Sequence, residues 1–298
     1  MKRLSIVIVT YHSEHDIYDC LDSIWLNTDI PEEELEVIIV DNSEDSTAMF
    51  EQLSQRYNSR IMLLSNTYNG GYGQGNNIGI RHASAPVVMI MNPDVRMIEP
   101  VFKTVVEAFE VKSSLCLYGM KQLIADHVVS RTSFACTRMM NGYVYPILDA
   151  VCNRFNLFFP QFMYIQGSCF FLNKEKFKQI GMFDEELFMY GEEDDIAYRL
   201  RNTFGNCMKF NPQLHYMHMV LQRPRTLTYE KRMLDSMVLS NQKKGYPCKK
   251  TIRNKLRNIR LQLWREQLKA LLGKKNEPLY RMLSDFKAHL KSSLAEIP

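Results

Sequence analysis

Three groups of acidic side chains stand at the ends of apolar or aromatic runs. Val37–Val40 ends at Asp41, and Val87–Met91 ends at Asn92-Pro93-Asp94. Glu192-Glu193-Asp194-Asp195 follows Phe188-Met189-Tyr190. An apolar run that stops at a turn former and a carboxylate reads as a buried parallel strand, bringing charge to the strand end where open α/β sheets keep their ligands. Acids carried by three separate elements point to a metal-assisted reaction on a phosphorylated substrate.

Each group also has a plainer explanation. Asp94 is the best metal-ligand candidate, because Mg²⁺ and Mn²⁺ take oxygen donors and often only one or two carboxylates, with substrate phosphates completing the shell. Asn92 can add an amide oxygen but no charge; the alternative is an Asp that closes a turn. Asp41 can accept hydrogen bonds from a nucleobase or ribose, or cap its strand in an Asx turn. The four consecutive acids suit a helix N-terminus through the helix dipole. The aromatic run before them adds a reason to expect raised carboxyl pKa values and general-base chemistry. Asp195 and Arg199, spaced i, i+4, form a structural ion pair, which leaves Glu192 and Glu193 as the functional pair. His215 and His218 point to opposite faces of a strand, so at most one reaches the site, and His218 is preferred.

The segment 66–79 is dense in glycine and asparagine. Its glycines would let backbone N–H groups, with a helix start, approach a diphosphate; a plain flexible loop is the alternative. A dinucleotide fingerprint fails here, because no glycine follows three residues after either G-x-G and the segment follows the third strand.

The elements that must position these residues alternate in the first half. Strands are expected at Leu4–Thr10, Leu35–Val40, Ile61–Leu64 and Val87–Met91. Helices capped by Ser13 and Ser46, and one begun by Pro100, lie between and after them. This alternation indicates an α/β fold, a largely parallel sheet with helices on both faces. Further on come an irregular aromatic stretch from Tyr143 to Tyr164, a strand at Gly167–Leu172, a short helix at Lys174–Ile180, a helix at Asp195–Phe204 and a strand at 214–220.

The 298 residues have ordinary hydrophobic and charged fractions, 46% and 23%, and no apolar stretch approaches a membrane span. Seven scattered cysteines without a C-x-x-C pair argue for reduced thiols in a cytoplasmic setting and against a zinc cluster. Residues 243–298 hold 15 Lys and Arg against 4 Asp and Glu, so their +11 leaves −7 for residues 1–242 of a chain whose total is +4. An acidic body with a basic tail is unlike a nucleic-acid-binding domain. Two units are expected, 1–242 and a basic amphipathic extension 243–298. In the extension Ile252, Leu256, Ile259, Leu263 and Leu271 form one stripe and Lys250, Arg253, Arg257 and Arg260 another. Such a helix lies peripherally on an anionic membrane or docks on the body. Nothing in the sequence sets the oligomeric state.

In order, Ser5–Tyr11, Val40-Asp41-Asn42-Ser43, Asn69–Gly79, Met91–Val95, Gly167-Ser168 with Gly181–Glu185, and Glu192–Arg199 resemble the family 2 glycosyltransferases of the GT-A fold, especially their rhamnosyltransferase-like branch. The resemblance covers roughly residues 4–220 and leaves out the basic tail. It implies inverting transfer of a sugar, such as rhamnose or another deoxyhexose, from a dTDP- or UDP-linked donor. The acceptor would be a hydroxyl of a glycan or lipid-diphosphate-linked glycan, in surface polysaccharide assembly, with Mg²⁺ or Mn²⁺ as cofactor. Thr10, Tyr11 and Asp41 would hold the nucleoside, and Asn69, Gly73, Asn76 and Asn92 the rest of the donor. Asp94 with His218 would hold the metal, and Gly167 and Ser168 would line the acceptor side. Asp94 matches the last acid of the family's D-x-D motif, with Asn92 in place of the first. Glu193 stands where the family's catalytic Asp usually does. Rival readings are a hexosamine or galactosyl transferase of the same fold, a sugar-nucleotide-binding protein with a decayed site, and an NAD-dependent oxidoreductase.

Overall fold

The computed structural model describes residues 1–297 except 67, 126–127, 131 and 220–224. Thr67 of the glycine-rich segment and Val220 of the expected last strand lie outside the described residues. The chain begins β1 (Leu4–Thr10), α1 (Ile17–Leu26), β2 (Leu35–Asp41), α2 (Thr47–Tyr57), β3 (Ile61–Ser65), α3 (Gly71–His82) and β4 (Val87–Met91). It continues with β5 (Val95–Met97), α4 (Phe102–Val111), β6 (Leu117–Ala125), β7 (Val128–Val129), β8 (Phe134–Cys136), α5 (Tyr145–Phe155) and β9 (Met163–Ile165). Then come β10 (Cys169–Asn173), α6 (Lys174–Gln179), α7 (Glu192–Phe204), β11 (Met208–His218), α8 (Leu227–Lys243), α9 (Cys248–Ala270) and α10 (Glu277–Glu296).

Among the described residues nine strands form one sheet, ordered β3-β2-β1-β4-β10-β6-β11-β5 with β7 on β6. Strands β3, β2, β1 and β4 are mutually parallel. Strand β10 enters antiparallel between β4 and β6, and β5 pairs antiparallel with β11. Alternate residues of the central strands feed two apolar cores, one per face. Ile6 and Met89 point into one, Val7 and Ile90 into the other, which explains why these strands read as unbroken apolar runs.

Local signals set most element types and misplace some starts. Helix α1 begins at Ile17, with Ser13 accepting the Ile17 N–H through its backbone carbonyl. Ser46 stands at the N-cap of α2, but its hydroxyl turns to Asp41 instead of a cap N–H. The 143–164 stretch, expected to be irregular, contains helix α5 and the start of β9.

The last three helices close over a third core in which Leu234, Ile252, Leu256, Ile259, Leu263, Leu283, Phe286 and Leu290 are buried. Each such side chain contributes ~2 kcal/mol of burial. The boundary expected at 242/243 falls at the end of α8, whose Leu227, Leu234 and Met237 already belong to this core. The helical unit therefore starts at Leu227. The apolar stripe Ile252, Leu256, Ile259 and Leu263 is docked, so it is unavailable to a membrane.

Candidate active site

The β4 end carries Asn92-Pro93-Asp94 to the edge of the sheet where β10 begins. Asn92 N–H donates to Ser168 O at 2.9 Å, extending the β4–β10 ladder past Cys169 and Met91. The turn then enters β5, where Val95 is opposite His218 of β11, and Met219 N–H donates to Asp94 O at 2.8 Å. This register brings His218 Nε2 to 3.3 Å from Asp94 Oδ1. That oxygen is buried and has no hydrogen-bond partner. His215 faces away, with Nδ1 3.0 Å from Glu99 Oε1.

One carboxylate oxygen without a partner and one imidazole nitrogen aimed at it form a donor pair of the kind that divalent Mn²⁺ or Mg²⁺ accepts. Among the described residues no group of three or more His, Cys, Asp or Glu could hold a metal ion. A cation here would therefore take further ligands from its substrate.

The acid cluster forms the first turn of α7, after Gly191 at φ 101°. Its four carboxylates divide by their partners. Asp195 Oδ2 accepts from Arg199 Nε at 2.8 Å, the expected i, i+4 pair. Asp194 meets Lys244 Nζ at 3.0 Å, both nearly without exposure, and accepts from Thr137 Oγ1 at 3.3 Å. Glu192 is buried with Oε1 unpartnered; burial, and then the neighbouring Glu193, push its pKa well above the usual carboxylate value. Glu193 Oε1 accepts from Gly167 N–H at 3.0 Å. Burial raises the Glu193 pKa as well, against the pull of that N–H and of the Arg138 charge.

A Cβ at Gly167 would lie 2.4 Å from Glu193 Oε1, so a side chain here would displace that carboxylate. The Gly167 carbonyl accepts from Tyr72 Oη at 2.6 Å. Gly167 and Ser168 thus bridge the two acid groups, one contacting Glu193 and the other Asn92. The Ser168 hydroxyl points elsewhere, 2.8 Å from Tyr216 Oη, and so acts as a support and not as a lining group.

The packing gives several of the expected donor residues partners within the chain. Asp41 and Thr10 have no exposed surface. Asp41 Oδ1 accepts from Thr10 Oγ1 at 2.7 Å and Ser43 Oγ at 3.0 Å, and Oδ2 from Ser46 Oγ at 2.7 Å. These three hydroxyls tie Asp41 to the ends of β1 and β2. Tyr11, next to Thr10, is the exposed side chain of that edge.

The glycine-rich segment is helical from Gly71 on, and its small residues allow α3 to lie close to the sheet. A Cβ at Gly79 would meet Val7 Cγ1 at 2.3 Å, and one at Gly73 would meet Phe183 Cβ at 3.1 Å. Asn69 Oδ1 takes the Gly71 N–H at 3.0 Å, and Phe188 O takes that of Tyr72 at 3.1 Å. Asn76 is buried and donates to Tyr72 O at 2.9 Å. Two N–H groups at the start of α3 are thus taken within the chain, while Asn76 Oδ1 is buried without a hydrogen-bond partner.

Sequence reasoning missed Arg138, whose guanidinium lies 4.7 Å from the Tyr145 ring centre and 3.2 Å from Asp149. It also missed Tyr72 and Lys244, whose partners are distant in sequence.

The sequence profile described as Glycosyl transferase family 2 matches residues 5–181, more than half of the chain. The chain belongs to glycosyl transferase family 2. The low-salt glycan biosynthesis hexosyltransferase Agl10 of Haloferax volcanii is 26% identical over 229 residues, 70% of this chain and 65% of that protein. The chain therefore spans slightly under two thirds of that relative's length. Rhamnosyltransferase WbbL of Escherichia coli is 25% identical over 237 residues, 72% of this chain and 82% of that one. Among solved structures, the mannosyltransferase PcManGT of Pyrobaculum calidifontis, in complex with GDP-Man and Mn²⁺, superimposes with a TM-score of 0.61 at 17% identity. The alignment covers 99% of this chain and 86% of that one. At that identity the likeness concerns the fold, and it agrees with the GT-A type of sheet described above.

Proposed function

We propose that this family 2 member is an inverting glycosyltransferase that moves a sugar from a nucleoside-diphosphate donor to a hydroxyl of a glycan or lipid-linked glycan. The observation that carries the reading is the pairing of Glu193 with Gly167, joined through Ser168 to the Asp94–His218 pair. Proton acceptor and cation-binding groups are thereby fixed on neighbouring elements of one edge.

In this reading Tyr11 covers the nucleoside, and the Thr10–Asp41–Ser46 cluster keeps that edge rigid beneath it. Asp94 and His218 would hold a divalent ion, which when bound offsets charge on the departing diphosphate. Glu193 takes the proton of the acceptor hydroxyl while the oxygen bonds to the anomeric carbon and the bond to the diphosphate breaks. Its raised pKa makes it a stronger base than an ordinary carboxylate. Arg138 and the Gly167 N–H oppose that rise. The rhamnosyltransferase name of one relative favours a deoxyhexose donor. Placement in glycan assembly rests on the name of the Haloferax volcanii relative, a glycan biosynthesis hexosyltransferase.

The test is release of nucleoside diphosphate from dTDP-rhamnose, UDP-hexoses and GDP-mannose, with and without Mn²⁺. Release from one donor, stimulated by Mn²⁺ and by a glycan acceptor, is expected. No release from any donor, together with retained nucleotide binding, would favour a decayed site, the reading to which Asn92 in place of an acid lends weight.

A further inference from the structure

Docking of the Ile252 stripe leaves a different row of α9 facing outward. Arg253, Arg257, Arg260, Trp264, Leu268 and Leu271 follow one another at spacings of three or four residues and so share one helix face. Trp264 is 56% exposed, Leu268 42%, and Leu271 and Leu272 at the helix end 82% and 73%. Helix α5 carries a matching row, Val144, Ile147, Val151 and Phe155, all exposed and with no acid among them. The two helices are neighbours where Gly142, at the approach to α5, is pressed onto α9. A Cβ there would be 1.7 Å from Asn254 O and 3.0 Å from Arg257 Cβ.

Scattered exposed apolar residues need no explanation, but two ordered rows on neighbouring elements do. Charge selects the occupant. Residues 253–275 hold eight Lys and Arg against one acid, and that acid, Glu266, is buried under Lys269. Arg253 and Arg260 are exposed and form no ion pair among the described residues. Aromatic and aliphatic tips set among unpaired guanidinium groups match the interface of an anionic bilayer, where tryptophan and the leucines enter the headgroup boundary and arginines meet lipid phosphates.

We propose that the α5–α9 face seats the enzyme on an anionic lipid surface through Trp264, Leu268, Ile147 and Phe155, with Arg253 and Arg260 at the headgroups. The proposal does not depend on which sugar is transferred.

The experiment is co-sedimentation of the full chain with vesicles of equimolar phosphatidylcholine and phosphatidylglycerol, with pure phosphatidylcholine vesicles as the second arm. Binding to the first and at least ~10-fold weaker binding to the second are expected, with salt weakening the interaction. Trp264 emission should shift to the blue on binding, and a Trp264→Phe variant should lose that shift while still sedimenting. The double variants Trp264→Glu with Leu268→Glu, and Ile147→Glu with Phe155→Glu, should each lose ~10-fold or more in partitioning. Their thermal midpoints should stay unchanged, because all four side chains are exposed. Arg253→Gln with Arg260→Gln should weaken binding with the apolar rows intact, which covers the case of a glutamate variant that fails to fold. Equal binding to both vesicle types, or binding indifferent to all three double variants, would overturn the proposal. So would a dimer in solution that these variants dissociate, since a second copy would then own the face.

Discussion

Asp41 and Asp94 stand at the ends of strands that flank β1 in one sheet, and both follow apolar runs that look alike in sequence. Asp41 has no exposed surface and three hydroxyl donors. Asp94 has a buried oxygen without a hydrogen-bond partner and an imidazole 3.3 Å away. The same side chain at the same kind of address is in one case a finished structural joint and in the other an open acceptor. A buried acceptor left open costs free energy, and Asp94 shares that state with Asn76 and Glu192. Glu193, with one oxygen on the Gly167 N–H, lies between the two, and Asp195, tied to Arg199, belongs with Asp41.

The contrast is broken most forcefully at Glu193. Glu193→Gln should lower sugar transfer by about 10³-fold while nucleotide binding measured by calorimetry stays within a few-fold. A variant that keeps most of its turnover would move the base elsewhere. Asp94→Asn should cost about 10²-fold in Mn²⁺-stimulated turnover and abolish the thermal shift produced by Mn²⁺ with nucleotide, leaving the unliganded midpoint near that of the parent.

Asp41→Ala should behave in the opposite sense. It strands three buried hydroxyls and should destabilise the fold by about 3 kcal/mol in urea unfolding, with little change in Mn²⁺ response. If Asp41→Ala proved stable but failed to bind nucleotide, the distinction between the two aspartates would collapse.

The smallest effect is expected in pH profiles. The raised pKa of Glu193 places the acid limb of turnover above the ordinary carboxylate range, since the base must be deprotonated to act. Glu192 affects stability instead. Above its ordinary pKa the folded chain binds more protons at this site than the unfolded chain, so its support for folding is present at low pH and lost as pH rises through the raised value. Glu192→Gln should flatten that part of the melting-temperature profile.

The sequence was most informative where one local rule was enough. Apolar runs ending at turn formers located β1, β2 and β4, and period-two reasoning about His215 and His218 left one of them for Asp94. The i, i+4 rule separated Asp195 from its neighbours. It was least informative where small residues serve two purposes. Gly73 and Gly79 look the same in sequence whether they admit a phosphate or let a helix approach Phe183 and Val7, and those partners come from other elements. Thr10, Ser43 and Ser46 around Asp41 were likewise within view, but their convergence on one carboxylate requires β1 beside β2. Arg138 and Lys244 gave no signal, because each matters through a contact made only when distant segments close. Helix α5 was hidden by aromatic residues whose outward row resembles an irregular stretch.

The contact of Lys244 with Asp194 has a consequence for how such chains can be recombined. The lysine follows directly on α8, the first helix of the helical unit, and the aspartate is the neighbour of Glu193. Grafting a different set of terminal helices onto this α/β body would remove the counter-charge from the catalytic turn unless the graft brought a cation to the same spot. Chimaeras joined between α7 and α8 should therefore lose turnover before they lose the sheet, and restoring one lysine should recover more activity than redesigning the junction.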